Sequence, residues 1–436
     1  MYSSYFGVDL LKLRRLKVLD LMSPNSLAVF PATTRVLRNL DVEFKFRQDS
    51  NFWYLTQIFE PDHVLVLFKS ADNSSEEILF LSFSNEEEVV WVGASIDEEQ
   101  AKLLSGVDQI CDIKDLSDYL QSHNSVSTVY FESKLSHLYP CANLVLEVFR
   151  DRVVSPLELM SNLRLVKDDL EIQLIKQACQ INRYVFEQIS SLLEDYPSKA
   201  SSLTTYKLRR DHRQQLKESD IEAVILYVYA QNEADWSFWP IVASGSNATV
   251  LHYTNNDVDI LPENLLLVDS GCEVKGYASD ITRTFEVGQV SEFKRLILTT
   301  VEQIQQQVIN FLKQSWFNQI QISLIDLQEY TVNLVCQMLL DLEVFPNRSL
   351  EEIMEKQLYK KYYPHRVSHF LGLDVHDLRS DYTLRMPLVK NMVLTIEPGL
   401  YFPVDDLQIP KEFRGVGVRI EDDLLITESG IEILTR

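Results

Sequence analysis

Two aspartates in LLLVDSGCEVKGYASDITRTF, residues 265–285, are the first place where this chain offers chemistry. Leu265 to Val268 is an apolar run with the look of a buried strand. SGCEVKG carries turn chemistry, and YASDITRTF alternates like a second strand. A turn centred between Val274 and Lys275 sets Asp269 and Asp280 directly opposite each other, with Cβ atoms ~5 Å apart. Facing carboxylates repel unless a cation lies between them, and two divalent ions ~3.5–4 Å apart suit that geometry. A solvated hairpin with both acids turned to water fits the same pattern, so the pair needs further ligands.

Three later segments offer them. PHRVSHFLGLDVHD holds His365, His369 and His376, three of the eight histidines. MVLTIEPGLY alternates as a strand, with Val393, Thr395 and Glu397 on one face, and ends at a Pro-Gly turn. GVGVRIEDD puts Arg419 and Glu421 on one face by period two. Each acid lies between apolar neighbours that should be buried, and a buried acid without a cation is costly. Taken singly, these are a surface pair at His376–Asp377, an edge residue at Glu397 and a structural salt bridge between Arg419 and Glu421. Taken together, Asp269, Asp280, His369, Glu397 and Glu421 form a carboxylate-rich set suited to two hard or borderline divalent ions such as Mn²⁺, Co²⁺ or Zn²⁺.

The elements that must position this set occupy a chain of 436 residues, long enough for two cores. Glycine is scarce, and nine of the 12 follow position 244, so the second half carries the tight backbone geometry. The first part alternates strands (Ser26–Ala32, His63–Lys69, Glu77–Phe83, Glu88–Gly93, Thr128–Glu132) with helices in IDEEQAKLL and LSDYLQSH, an α/β layer domain. The aromatic-rich connector Phe46–Asp62 reads as core packing or as something more specialised. The pattern changes near Pro156, so the expected domains are 1–157 and 158–436. Asp168 and Glu171 form a capping box ahead of a long amphipathic helix. The basic cluster KLRRDHR (Lys207–Arg213) reads as a solvated helix face. Helical patterns cover Ser291–Gln314 and Ser323–Leu342, and short strands return after Pro364.

Composition removes several function classes. With 46% hydrophobic and 24% charged residues, the chain reads as a soluble globular protein. A formal charge of −23 opposes sequence-independent binding to nucleic acid or anionic membranes. Five scattered cysteines without a CxxC pair point to a reducing compartment, and neither a signal peptide nor a membrane span is expected. These features suggest a cytoplasmic protein.

The segments DSGCEVKGYASDITRTF, SHFLGLDVHD, TIEPGLY and GVGVRIEDD resemble those of the creatinase/methionine aminopeptidase metallopeptidases, and among them the Xaa-Pro aminopeptidases (aminopeptidase P). RQDSNFWYLTQIFEPDHVLVLF is similar to the N-terminal domain of bacterial and mitochondrial members. The resemblance implies an α/β N-terminal domain followed by a pita-bread catalytic domain, and two divalent metals, Mn²⁺ first. Asp269, Asp280, His369, Glu397 and Glu421 are then the ligands. Asp280 and Glu421 bridge both ions, Asp269 chelates one, and His369 with Glu397 completes the other. A hydroxide between the metals is the nucleophile, and Glu397 passes its proton to the leaving proline nitrogen. His252, His365 and His376 match histidines that polarise the scissile carbonyl or hold the tetrahedral intermediate. Arg419 matches an arginine that orients the bridging glutamate. Asp41 matches an acid that reaches a neighbour's site in tetrameric members, so a homodimer or homotetramer is expected. Arg366 and the segment SFWPIV depart from the family pattern near the expected substrate channel, and the chain near Phe149–Val154 looks shorter. Prolidase, which cleaves only Xaa-Pro dipeptides, is the close alternative. A metal-free peptide-binding protein of the same fold is the more distant one.

Overall fold

The computed structural model describes residues 5–194, 196 and 215–436. The basic cluster at Lys207–Arg213 lies outside the described residues. The chain divides into two units, Met1–Arg164 and Leu165–Arg436.

The first unit is built on a six-stranded mixed sheet. Its order is Gln109–Asp112, Ser75–Leu81, Val64–Lys69, Ser26–Pro31, Thr128–Tyr130 and Val153–Val154. Ser26–Pro31 is buried along its whole length, as its unbroken apolar run requires. The aromatic-rich connector contains helix Ser50–Thr56, capped by Asp49, whose carboxylate accepts from the N–H groups of Asn51 and Phe52. Phe52 and Leu55 in that helix are fully buried, so it packs as core.

Two sequence expectations change here. EVVWVG is not a strand: Glu86–Val92 is a helix. Asn85 accepts from the N–H groups of Glu87 and Glu88, and Glu88 accepts in return from the Asn85 N–H, a capping box that overrides the β-branched run. The run is not sheet core either, since Val90 and Trp91 are more than four-fifths exposed. The division between units falls after Arg164 and not after residue 157. Helix Leu157–Arg164 belongs to the first unit, held by Arg164 Nη1 to Asn51 Oδ1 (2.6 Å) and by the Tyr54 hydroxyl to the Leu163 carbonyl (3.4 Å). Pro156 begins a helix that packs backwards, so a break in pattern is not a break in packing.

In the second unit, helix Asp169–Glu194 starts at the reciprocal Asp168–Glu171 cap. Small antiparallel sheets carry the rest. Leu265–Ser270 lies between Ile241–Ser244 and Ile281–Glu286, and Asp422–Thr427 lies between Val393–Ile396 and Gly430–Ile433. Gly399–Phe402 pairs with Val416–Arg419. The apolar run Ala223–Tyr229 lies inside helix Glu218–Gln231, and helices Glu292–Phe317 and Leu324–Asp341 follow the central hairpin. Gly417 has no room for a side chain, since a Cβ there would stand 2.2 Å from the Ala248 carbonyl oxygen.

The central hairpin also differs from expectation. Lys275 and Gly276 both have positive φ (51° and 85°), the two-residue turn whose twist suits a hairpin. Val274 therefore pairs with Tyr277, the turn centre moves by one residue, and Asp269 faces Thr282. The two aspartates are diagonal neighbours, ~7–8 Å apart by strand geometry, and not a directly opposed pair. Because Gly276 must hold φ near +85°, Gly276→Val is expected to cost about 1–2 kcal/mol, and Gly276→Asn less. Urea denaturation of the two variants checks this; equal midpoints for both and for the parent chain would show that the turn does not set the register.

Candidate metal centre

Three pieces of backbone bring the acids together. Asp269 is the last but one residue of its strand, and Asp280 immediately precedes the paired strand Ile281–Glu286, with its N–H held by Asp423 Oδ2 at 2.9 Å. The segment of Val367–Phe370 lies against the strand of Glu397: the Thr395 N–H donates to the His369 carbonyl (2.9 Å) and the Glu397 N–H to the Val367 carbonyl (2.7 Å). Arg419 to Glu421 runs beside Ile281–Glu286, with the Glu421 N–H donating to the Thr282 carbonyl at 3.0 Å and the Thr284 hydroxyl to the Arg419 carbonyl at 2.9 Å. Backbone hydrogen bonds therefore fix all three before any ligand is considered.

The side chains converge on His369 Nε2, which stands 3.5 Å from Asp280 Oδ2, 3.6 Å from Glu397 Oε1 and 3.8 Å from Glu421 Oε1. Ligand atoms of Asp280, His369 and Glu421, all buried, lie within 4.8 Å of one another. His369 Nδ1 is 3.1 Å from the Phe370 carbonyl, which assigns the proton to Nδ1 and leaves the Nε2 lone pair toward the acids. Asp269 Oδ2 accepts from Arg419 Nη2 at 2.5 Å. Asp269 Oδ1, Asp280 Oδ1 and Glu421 Oε1 are buried without a hydrogen-bond partner. Buried carboxylate oxygens are ordinarily satisfied, so three orphans on mutually repelling acids, one of them 3.8 Å from His369 Nε2, fit a divalent cation better than any protein donor.

The electrostatics agree. Burial, and then the charges of the neighbouring acids, push the carboxyls of Asp280 and Glu421 well above the usual carboxylate range. Burial raises Glu397 to about 7, with His369 and Arg419 opposing. Behind the site, burial raises Asp423 to about 7; its Oδ2 also accepts from the Cys179 thiol at 3.3 Å.

His365 lies at the edge of this cluster. Its Nδ1 is 2.8 Å from the Arg366 carbonyl and 3.6 Å from Glu397 Oε2, and its Nε2 is 2.9 Å from the Tyr401 hydroxyl. Burial and Arg419 push it down to about 3, so it is neutral at pH 7. The ring of His376 meets that of His369 edge-on at 4.4 Å between centroids. His252 sits in an exposed loop within electrostatic reach of His365. Asp41 lies in the first unit, exposed, between the short strands Leu37–Asn39 and Val42–Glu43.

Three contributing side chains lie outside the set that the sequence pattern points to. Thr282 donates to Glu421 Oε2 (2.8 Å) and accepts from Arg419 Nε (3.1 Å). The Tyr401 hydroxyl accepts from Arg419 Nη1 at 2.8 Å, and Asp423 holds Asp280. Period two could have pointed to two of them, since Thr282 follows Asp280 and Asp423 follows Glu421 by two residues along strands.

In the metal-free protein, a carboxyl such as Glu397, raised in the folded state from 4.5 to about 7, favours folding below pH 4.5. That contribution is lost as pH rises through 7. Bound cations remove the penalty, so the gain in Tm on adding Mn²⁺ to chelator-treated protein is expected to grow between pH 5 and pH 8. A gain independent of pH in that window would place the cation away from these carboxylates.

Comparison with known proteins points the same way. The model of metallopeptidase family M24 matches residues 173–428, and that of the aminopeptidase P N-terminal domain matches residues 11–130. An Xaa-Pro aminopeptidase of Haemophilus influenzae is 33% identical over 427 residues, spanning 97% of this chain and 93% of the relative. That of Escherichia coli is 30% identical over 437 residues, with the same coverage. Zinc-substituted E. coli aminopeptidase P in complex with product superposes with a TM-score of 0.82 at 29% identity, covering 99% of this chain and 96% of that one. The E. coli enzyme with the inhibitor Pro-Leu gives 0.81 at 28% identity, covering 99% and 95%. The chain shares their two-domain fold, with the pita-bread architecture in its second part.

Proposed function

Because the chain belongs to metallopeptidase family M24 and carries an aminopeptidase P N-terminal domain, we propose that it is an Xaa-Pro aminopeptidase, removing the first residue from peptides with proline second. The observation that carries this reading is the set of orphaned, buried carboxylate oxygens on Asp269, Asp280 and Glu421, with Asp280, Glu421 and His369 offering atoms within 4.8 Å of one another. Asp269, Asp280, His369, Glu397 and Glu421 would hold two divalent ions, Mn²⁺ first and Co²⁺ or Zn²⁺ as alternatives, with Asp280 and Glu421 shared between them. Bound there, the ions supply Lewis-acid polarisation of the scissile carbonyl and a water acidic enough to attack as hydroxide.

The chain's own residues do the rest. Glu397, half-buried at the edge of the cluster, would take a proton from the attacking water and return it to the proline nitrogen, which leaves as a neutral amine. His365, neutral and held between the Arg366 carbonyl and the Tyr401 hydroxyl, is a fixed polar wall beside Glu397. His252 and His376 face the carbonyl and the proline, and polarise the first as charge develops on oxygen. Arg419, gripped by Thr282, Tyr401 and Asp269, keeps Glu421 in register. Asp41 would serve a neighbouring copy's site in a homodimer or homotetramer. A cytoplasmic location suits the cysteine usage; among the described residues, no helix is long and apolar enough to cross a membrane.

The N-terminal domain match favours an aminopeptidase over a prolidase, and a purely peptide-binding protein has no use for orphaned buried acids. With Mn²⁺, cleavage of Xaa-Pro-Yaa-Zaa is expected to exceed that of Xaa-Pro. Asp280→Ala or Glu421→Ala should reduce it beyond the 10–100-fold typical of an outer-shell loss. Preference for the dipeptide would make the enzyme a prolidase, and full activity of either variant after exhaustive chelation would end the dimetal reading.

A further inference from the structure

The loop between Ser244 and Val258 carries His252. An exposed imidazole is placed by the backbone beneath it, so the question is what holds that backbone. Glu218, the first residue of helix Glu218–Gln231, is fully buried and belongs to no part of the acid cluster. Its Oε1 accepts from the Ser244 N–H at 2.7 Å and from Asn247 Nδ2 at 3.0 Å. Its Oε2 accepts from the Tyr253 hydroxyl at 2.8 Å and from the Val258 N–H at 3.2 Å. Two donors precede His252 in the chain and two follow it. A carboxylate offers about four lone-pair sites, and here each has a donor.

The surroundings suit an anion. The helix N-terminus favours negative charge, and the Glu218 N–H closes the loop from below by donating to the Val258 carbonyl at 3.0 Å. Asn256, also buried, adds a second brace. Its Oδ1 accepts from the Val242 N–H (3.0 Å), and its Nδ2 donates to the Pro240 carbonyl (2.9 Å) and to Glu222 Oε2 (3.2 Å). Ser244 also ends the strand that pairs with Leu265–Ser270, at a point three residues along from the Ile241–Asp269 pair. The clamp thus ties the loop to the framework of the acid cluster without touching the cluster's ligand atoms.

We propose that Glu218 is the positioning residue for His252, setting through these four hydrogen bonds where the imidazole meets the substrate. The inference rests on the reading that His252 contacts substrate. A glutamine at this position has one acceptor oxygen and turns an NH₂ group toward two of the donors. The Tyr253 hydroxyl can reverse its role, but the N–H of Ser244 or Val258 cannot. The loop then shifts while the ligand cluster stays.

The test is a double-mutant cycle on the Mn²⁺-loaded full chain with an Xaa-Pro-Yaa peptide, using Glu218→Gln, His252→Ala and the double variant. Glu218→Gln is expected to lower kcat/KM about 10–100-fold, the scale of charged hydrogen bonds lost. Bound metal content should stay at the parent level. In the His252→Ala background the same substitution should cost less than about twofold, because its effect passes through the imidazole. Losses that multiply, or parent activity in Glu218→Gln, would overturn the proposal. Parent activity in His252→Ala would overturn it from the other side, by removing the role of His252 while leaving the metal reading intact. Tyr253→Phe removes one donor and leaves the carboxylate. It should give a loss of about fivefold that also vanishes in the His252→Ala background, and it decides the matter if Glu218→Gln does not fold.

Discussion

The second unit is organised around an unfavourable interaction: Asp280, Glu397 and Glu421 crowd one imidazole, and the charge of Asp269 adds to theirs. Burial penalises each charge, and each neighbour penalises it further. Left to themselves, such side chains would turn outward or take up protons. They stay because the backbone leaves them no alternative. Asp269 sits within a three-stranded ladder, Glu397 is tied by its N–H to Val367, and Glu421 by its N–H to Thr282. The Arg419 guanidinium answers the repulsion by direct contact with Asp269, and its other nitrogens are spent on Thr282 and Tyr401. The remaining deficit of positive charge is what suits the cluster to a cation.

The run Ile420–Asp423 shows how sharply the fold sorts acids. Glu421 and Asp423 point into the cluster or its immediate support, whereas Asp422, between them, turns the other way to Arg283 (2.7 Å) and Arg436 (2.6 Å). Burial works against the Asp422 charge, yet those two arginines hold its carboxyl below the usual range. Neighbouring residues with the same chemistry thus have opposite environments because a strand alternates its faces. Arg283 also donates to the Glu421 carbonyl, so the outward pair braces the inward-facing Glu421.

Three features show where local pattern stops being informative. The hairpin turn was displaced by one residue, because the positive φ at Lys275 and Gly276, and not the symmetry of the two aspartates, selects the centre. EVVWV resembles a strand by composition, but Asn85 and Glu88 cap it as a helix with an exposed apolar face. Pro156 marks a change of pattern, yet the helix after it packs into the first unit. In the last two cases a short-range hydrogen bond or a long-range contact outweighed hydropathy; in the first, backbone conformation outweighed the symmetry of the side chains.

By itself, the sequence determined the residue types available for chemistry and that several would be buried, since Asp269, Glu397 and Glu421 each follow an apolar residue (Val268, Ile396 and Ile420) in a strand-like run. It also determined which acids share a face with which, because period two is a property of the local backbone. Only the tertiary structure decided that His369 Nε2 lies within 3.8 Å of three carboxylates drawn from segments up to 141 residues apart. It alone supplied Tyr401 as a support and Glu218 as the clamp on the His252 loop, and it decided what Thr282 and Asp423, each two residues from a named acid, hold in place. The reason is physical: a ligand set is defined by distances between segments, and those distances follow from how sheets and helices pack, which no single stretch of chain encodes.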